Sequence, residues 1–395
     1  MKKNIKYFDF TLVIIPILLA GFGVVMIYSA SMVIAIVEGL ESTHYFYRQL
    51  MWFFLGLIGF VFFSFFSYRN YQRLIKIVML GVFALLLGVI FFGNEVNNAK
   101  SWLSFGPIGI QPAEFAKLGL IIYLSAIYSK KQSYINDFNR GVLPPLIMTG
   151  LVLGLVVMQP DIGTASIIFL IACSVIFSSG IKFKHLFILV FIGLLLLAIA
   201  VPSMVTDERI ERFTGAYQPF EAPDDDGYHL IQSYLAIGVG GLTGEGLGQS
   251  VQKLGYLYAP HNDFIMAVIA EELGFIGVVI VIGMLAIIVL RGLYISWRCK
   301  DSFGALLAIG ISSMVGLQAF INLGAISGIL PITGVTLPFV SYGGSSLLVL
   351  MASMGILNNI AMNVKRQERQ PVQVNEDDEP IPNSFRHRGG EPWTS

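Results

Sequence analysis

Charge is scarce in this chain of 395 residues. Lys, Arg, Asp and Glu together supply 13% of it, about half the share of an ordinary soluble domain. A compact soluble protein still leaves much of its surface in water, and so few charges cannot cover that surface. An ordinary cytosolic enzyme is therefore excluded. There is no excess of either sign, with 25 basic and 25 acidic residues, and this excludes a nucleic-acid binder. Cysteine is nearly absent: Cys173 and Cys299 lie in separate regions and form neither a disulfide framework nor a metal knuckle. The five histidines include no HxxxH pair, so no metal site is expected. What the chain has in quantity is apolar surface, at 55% hydrophobic residues with 30 Phe. That composition fits an all-α integral membrane protein and is incompatible with disorder.

A membrane-spanning helix needs roughly 20 mostly apolar residues. Ten such stretches are present, at about 11–31, 48–66, 74–92, 112–129, 142–158, 163–180, 185–203, 264–290, 303–325 and 344–363. The runs are continuous rather than alternating, which favours helices over barrel strands. The first is too long for a cleaved signal peptide. Basic residues fall on one side of a ten-span layout: Lys2, Lys3 and Lys6, then Arg69, Arg73 and Lys76, then Lys130, Lys131 and Arg140, then Lys182 and Lys184, then Arg291, Arg298 and Lys300, and finally Lys365 and Arg366. The other side holds Arg48, Lys100, Arg209, Arg212 and Lys253. The positive-inside rule then puts both termini in the cytoplasm. The expected organisation is a membrane domain over 1–364 and a disordered cytoplasmic tail over 365–395. One extracellular loop, 204–263 between spans seven and eight, is long and acidic. It carries the amphipathic run 228–237 and six glycines between Gly238 and Gly248. A loop of that length in a compact bundle is usually functional when it is not disordered. No broken-helix pair of the inverted-repeat transporter kind is apparent.

Charged residues within spans are costly and point to function. Glu114 and Lys117, three apart, share a helix face near the external end of the fourth span. They suit either a structural ion pair or a substrate contact. Asp161 follows Gln159-Pro160 at an external turn and suits an N-cap for the sixth span. Asp263 ends the run Tyr258-Ala259-Pro260-His261-Asn262-Asp263 just before the eighth span, where it too could cap a helix; Glu271 and Glu272 lie inside that span. Between the last two spans, 328–346 is rich in Gly and Pro, and irregular backbone at membrane depth must be buried in protein or line a cavity. Backbone N–H groups around Gly343-Gly344 could hold an anion, or the glycines could simply make a tight helix start.

Four motifs occur in order: Gln111-Pro112-Ala113-Glu114-Phe115-Ala116-Lys117; Gln159-Pro160-Asp161-Ile162-Gly163-Thr164; His261-Asn262-Asp263-Phe264 with Ala270-Glu271-Glu272-Leu273-Gly274; and Leu337-Pro338-Phe339-Val340-Ser341-Tyr342-Gly343-Gly344-Ser345-Ser346. Together they resemble the SEDS family of bacterial membrane proteins, which covers shape, elongation, division and sporulation members. Tyr7-Phe8-Asp9, Tyr28-Ser29-Ala30-Ser31 and 130–135 are most similar to FtsW-type division members, with RodA and SpoVE types close. The resemblance implies a peptidoglycan glycosyltransferase of the cytoplasmic membrane with an extracellular-facing site. Its substrate would be lipid II, an undecaprenyl-pyrophosphate-linked disaccharide pentapeptide. Its partners would be a class B penicillin-binding protein and other divisome or elongasome membrane proteins. Asp263 matches the family's catalytic aspartate. Glu114, Lys117 and Asp161 match its polar cavity, and Gln111, His261, Ser341, Gly343, Gly344 and Ser345 join them as substrate-binding candidates. Two positions depart from the common pattern: Ser101, with Lys100 before it, stands where many members have Arg, and the stretch before Asp263 lacks the usual Glu.

The chemistry implied is attack of a sugar hydroxyl on an anomeric carbon bearing a lipid pyrophosphate. A carboxylate can accept the hydroxyl proton, and cations or N–H groups can stabilise the departing pyrophosphate. This assigns Asp263 as base and Lys117 and Lys253 as pyrophosphate contacts, with Glu114 and Asp161 orienting Lys117. Mg or Mn would suit the leaving group, though no ligand cluster demands a metal. Two other readings use the same architecture: a lipid II flippase, and a noncatalytic scaffold for the penicillin-binding protein.

Overall fold

The computed structural model describes residues 6–96, 99–106, 108–132, 135, 137–182, 184, 187, 190–191, 215–221, 223, 227–257 and 259–369. In chain order, α1 is Phe10–Val37, α2 His44–Phe65 and α3 Arg69–Phe92. Three short strands follow, β1 Asn94–Val96, β2 Ala99–Phe105 and β3 Ile108–Ile110. Next come α4 Pro112–Lys130, a π turn Phe138–Val142 leading into α5 Leu143–Val157, and α6 Ile162–Ser178. After these are α7 Tyr228–Gly240, a 3-10 turn Gln252–Leu254, α8 Ile265–Arg298, α9 Ser302–Ile326 and α10 Gly344–Arg369.

Nine of the ten apolar stretches coincide with helices among the described residues. The stretch 185–203 lies outside them apart from isolated positions. Seven helices are long and apolar enough to cross a bilayer: α1, α2, α3, α5 with its π turn, α8, α9 and α10. α4 carries Glu114 and Lys117 within 19 residues, and α6 has only 17. The fold is mostly helical, but the expectation of an all-α chain needs one correction. Residues 94–110 make a small antiparallel sheet in the order β1-β2-β3, with Leu103 opposite Ile110 and Phe105 opposite Ile108. Leu103 is buried, so the sheet is tied to the bundle rather than left as a free loop.

The core is built around α10. Its membrane-spanning stretch is 89% buried, so it touches protein nearly all round, and it packs along α2. Small residues permit the close approach. A Cβ on Gly355 would fall 2.5 Å from the Phe60 carbonyl oxygen, so any side chain there pushes the two helices apart.

At the end where α8 and α10 finish, polar residues tie the helices together. The Asp9 carboxylate is buried and lies 2.7 Å from Arg291 and 3.0 Å from Lys365. Burial opposes its ionisation, but the hydrogen bonds from Arg291 and Lys365 outweigh that and hold the carboxyl below its ordinary value. Asn358 accepts from the Asp9 N–H at 3.0 Å and Asn359 from the Tyr68 N–H at 3.0 Å. Lys365 also donates to the Phe8 carbonyl at 3.1 Å. α10 itself continues through Arg369.

Candidate active site at the starts of α4, α6, α8 and α10

Three helix starts are tied together by Gln111. Its N–H donates to Ser345 Oγ at 3.0 Å and its side-chain amide to Asp161 Oδ2 at 3.1 Å. The other Asp161 oxygen accepts the Thr164 N–H at 3.0 Å, capping α6. Asp161 is thus an N-cap that also reaches α4. Glu114 and Lys117 form an ion pair at 2.8 Å, with side chains 7% and 1% exposed. Glu114, not Asp161, is what holds Lys117. Among the described residues the Lys117 ammonium has this single partner, which leaves two of its three donors for a ligand.

The segment 328–346 is closed largely by its own polar groups. Ser341 Oγ accepts the Leu337 N–H at 2.8 Å. The Gly343 N–H points at Gln49 Oε1, 3.4 Å away, and Gly344 sits so close to the Trp52 ring that a Cβ would fall 2.1 Å from it. The tight helix start therefore describes these glycines better than an open anion nest.

Beside it, His261 is 5% exposed and lies between Tyr45 and Tyr342, with ring centroids 4.6 and 5.5 Å away. Burial pushes its imidazole down to about 4, so it is neutral near pH 7. Its carbonyl accepts the Tyr342 N–H at 2.9 Å. Two residues on, Asp263 precedes Phe264, the N-cap of α8, which makes no side-chain cap hydrogen bond. The Asp263 carbonyl accepts from Asn322 Nδ2 at 2.9 Å, and the same amide reaches the Val335 carbonyl at 2.8 Å. Asp263, Asn322, Thr333, Gly334 and Val335 line a cavity of about 10 Å³, room for roughly one water or hydroxyl. Asn322 Oδ1 and Thr333 Oγ1 are buried there without a hydrogen-bond partner among the described residues.

Lys253 is not a loop lysine facing solvent. It is 1% exposed, with its ammonium 2.7 Å from Glu272 and 2.8 Å from Ser29 Oγ of α1. Glu271 accepts Ser250 Oγ at 2.5 Å, the Val251 N–H at 2.7 Å and, more weakly, the Gln252 N–H at 3.4 Å. Both carboxylates thus engage the 250–253 loop, and Glu272 also accepts from Ser29 of α1 at 2.6 Å. Just beyond them α8 is broken at Gly274, with φ 65° and ψ −167°. No group of three or more His, Cys, Asp or Glu among the described residues is placed to hold a metal.

The profile of the family described as "Cell cycle protein", FtsW/RodA/SpoVE, matches residues 10–366. The chain belongs to this family. It is 47% identical to the probable peptidoglycan glycosyltransferase FtsW of Bacillus subtilis strain 168, over 94% of each chain. It is 38% identical to stage V sporulation protein E of the same organism, over 89% of this chain and 96% of that one. Its fold is similar to a chain of a peptidoglycan synthase complex whose structure concerns coordination of polymerization and crosslinking. The TM-score is 0.74 at 29% identity, covering 92% of this chain and 99% of that one. The Thermus thermophilus rod shape determining protein RodA superposes with a TM-score of 0.67 at 29% identity, covering 92% and 98%.

Within this member of the FtsW/RodA/SpoVE family, sequence reasoning passed over Asn322, Thr333 and Tyr45. Asn322 gave the clearest signal, since a carboxamide inside a span usually bonds to a neighbouring helix. Tyr45 and Thr333 gave none, because aromatics and hydroxyls are common at span ends.

Proposed function

We infer that this chain is a peptidoglycan glycosyltransferase that polymerises lipid II, with Asp263 as the general base. One observation carries the assignment of the base. Asp263 stands just before the start of α8 and lines, with Asn322 and Thr333, a niche the size of one hydroxyl in which Asn322 Oδ1 and Thr333 Oγ1 have no hydrogen-bond partner among the described residues. A sugar hydroxyl placed there would give its proton to the carboxylate as its oxygen attacks the anomeric carbon. The bond to the lipid pyrophosphate breaks as the glycosidic bond forms. Lys117, with donors to spare beyond Glu114, is the cation proposed for the pyrophosphate. Lys253 is proposed instead as a brace for α8, since both Glu272 and Ser29 engage it. A divalent cation, Mg or Mn, would reach the site with the pyrophosphate. The described residues supply no three-ligand group for one, and no step is routed through it.

The same reading includes ten spans, with the stretch 185–203 as the seventh. Residues 1–364 would form the membrane domain, and both termini and the tail from 365 would face the cytoplasm. The site would face outward, so that the lipid stays in the membrane while the headgroup reacts. In a background lacking Cys173 and Cys299, Tyr256→Cys should react with an impermeant thiol reagent on wall-stripped cells, and Asn70→Cys should not. Labelling at 70 from outside would overturn the orientation.

The protein is proposed to work in cell division beside a class B penicillin-binding protein. Purified chain given labelled lipid II should make glycan strands, and more of them when that partner is added. Flipped lipid without polymer would favour a transporter; neither product would favour a scaffold.

A further inference from the structure

We propose that the glycine-rich segment Gly240–Gly246 is a backbone splint that sets the direction of the short half-helix Ile265–Leu273 and thereby positions Asp263. Gly244 and Gly274 are then positioning residues for the reaction. The proposal rests on Asp263 being the base.

The hydrogen bonds at the break carry the argument. In an unbroken helix the Phe275 N–H would donate to the Glu271 carbonyl and the Ile276 N–H to that of Glu272. At Gly274 both bonds are lost. The loop replaces them on both sides of the gap. Glu245 and Gly246 N–H groups donate to the Glu271 and Glu272 carbonyls, each at 3.0 Å. Gly241 and Leu242 carbonyls accept from Phe275 and Ile276 at 2.9 and 3.2 Å. Two helical bonds are exchanged for four loop bonds, so backbone that would be costly to leave unpaired near a bilayer is satisfied.

Contact this close is backbone on backbone. A Cβ on Gly240 would fall 1.8 Å from the Ala270 carbonyl oxygen, and one on Gly244 would fall 2.2 Å from that of Glu272. A Cβ on Gly274 would fall 2.4 Å from the Gly244 nitrogen. The side chains of Glu271 and Glu272 add their bonds to Ser250, Val251 and Lys253 on the same loop. One end of the half-helix is therefore held by the loop, and Asp263 is at the other. Asp263 stands roughly 16 Å from the break at 1.5 Å per residue, so a tilt of about 4° there moves it by roughly an ångström. Misplacement of that order can cost about a hundredfold in rate.

Gly248 supplies the control. It shares the left-handed backbone of Gly244, φ +82° against +80°, but a Cβ on it would meet nothing within 4 Å. Gly244→Ala and Gly248→Ala therefore both put Ala at a left-handed φ, and only the first pushes the loop off α8. The experiment uses full-length protein, lipid II as substrate, and hydrogen exchange as a second readout. Gly244→Ala should release the amides of Glu245, Gly246, Phe275 and Ile276 and lower kcat by about ten- to a hundredfold, with KM little changed. Gly248→Ala should do neither. Ser250→Ala, which loosens the grip without adding bulk, should lower kcat less, in the same sense, and it decides the question if Gly244→Ala does not fold. Wild-type kcat in the folded Gly244→Ala protein, equal losses in Gly244→Ala and Gly248→Ala, or wild-type kcat in Ser250→Ala when Gly244→Ala does not fold would each overturn the splint. Polymerisation that survives Asp263→Asn would overturn the underlying assignment instead.

Discussion

Asp263→Asn should abolish most lipid II polymerisation while leaving the protein folded. Loss of a general base typically costs about 10²–10⁴-fold. The fold should survive because Asn keeps the size of Asp and caps a helix about as well. Asp263→Glu should recover little, since one methylene moves the carboxylate by roughly an ångström in a niche of about 10 Å³. The measurement is glycan product from labelled lipid II, with mutant and wild type matched for expression and monodispersity. Near-wild-type product from the Asn variant would remove Asp263 from the chemistry and leave its proximity to the niche without a task.

The second large effect concerns Lys117. Removing one partner of a buried ion pair leaves an uncompensated charge and costs about 3–5 kcal/mol. Lys117→Ala should therefore lower the thermal midpoint sharply as well as activity, because Glu114 is almost as buried as the lysine. Exchanging the two residues, Glu114→Lys with Lys117→Glu, restores a pair in the same place. Stability should largely return in that protein and polymerisation should not, because a departing pyrophosphate would meet a carboxylate. Full activity in the exchanged protein would make the pair a helix fastener only.

The helices that span-length hydropathy can find were legible in the sequence because they depend on composition over twenty or so residues. Hydropathy placed α1 to α6 and α8 to α10 with starts within about five residues of those observed, and stopped six to eight residues short of the ends of α1, α8 and α10. The sheet at 94–110 escaped because its strands have three to seven residues, too short for a span-sized window and hidden between two apolar stretches. The break in α8 escaped for a different reason. Gly274 lies in an apolar run where a glycine is commonplace, and what opens the helix is a set of loop carbonyls and amides 26 to 34 residues before the groups they bond. The partners of Lys253 escaped for the same reason, since it sits in a polar loop yet they are 19 and 224 residues away. Glu271 and Glu272 could not be resolved as neighbours in sequence; on a helix they point about 100° apart, and while both engage the 250–253 loop only Glu272 also reaches α1. Asp161 was the opposite case: its capping role followed from its place after a proline turn and is what the structure has.

The burial of α10 has a consequence for how the protein is made. The ribosome delivers this helix after every other described helix, yet it is the one the others enclose. Until residues 344–369 reach the bilayer, α2 has no neighbour for the face that Gly56 and Phe60 present to it, and the α1 end at Asp9 lacks Asn358 and Lys365. The earlier helices can pack among themselves, as α3, α4 and α6 do, but these faces stay open until the last helix arrives. Closure comes in one late step, so a ribosome that stalls before that stretch leaves an open collar of helices for the quality-control proteases rather than a smaller working enzyme.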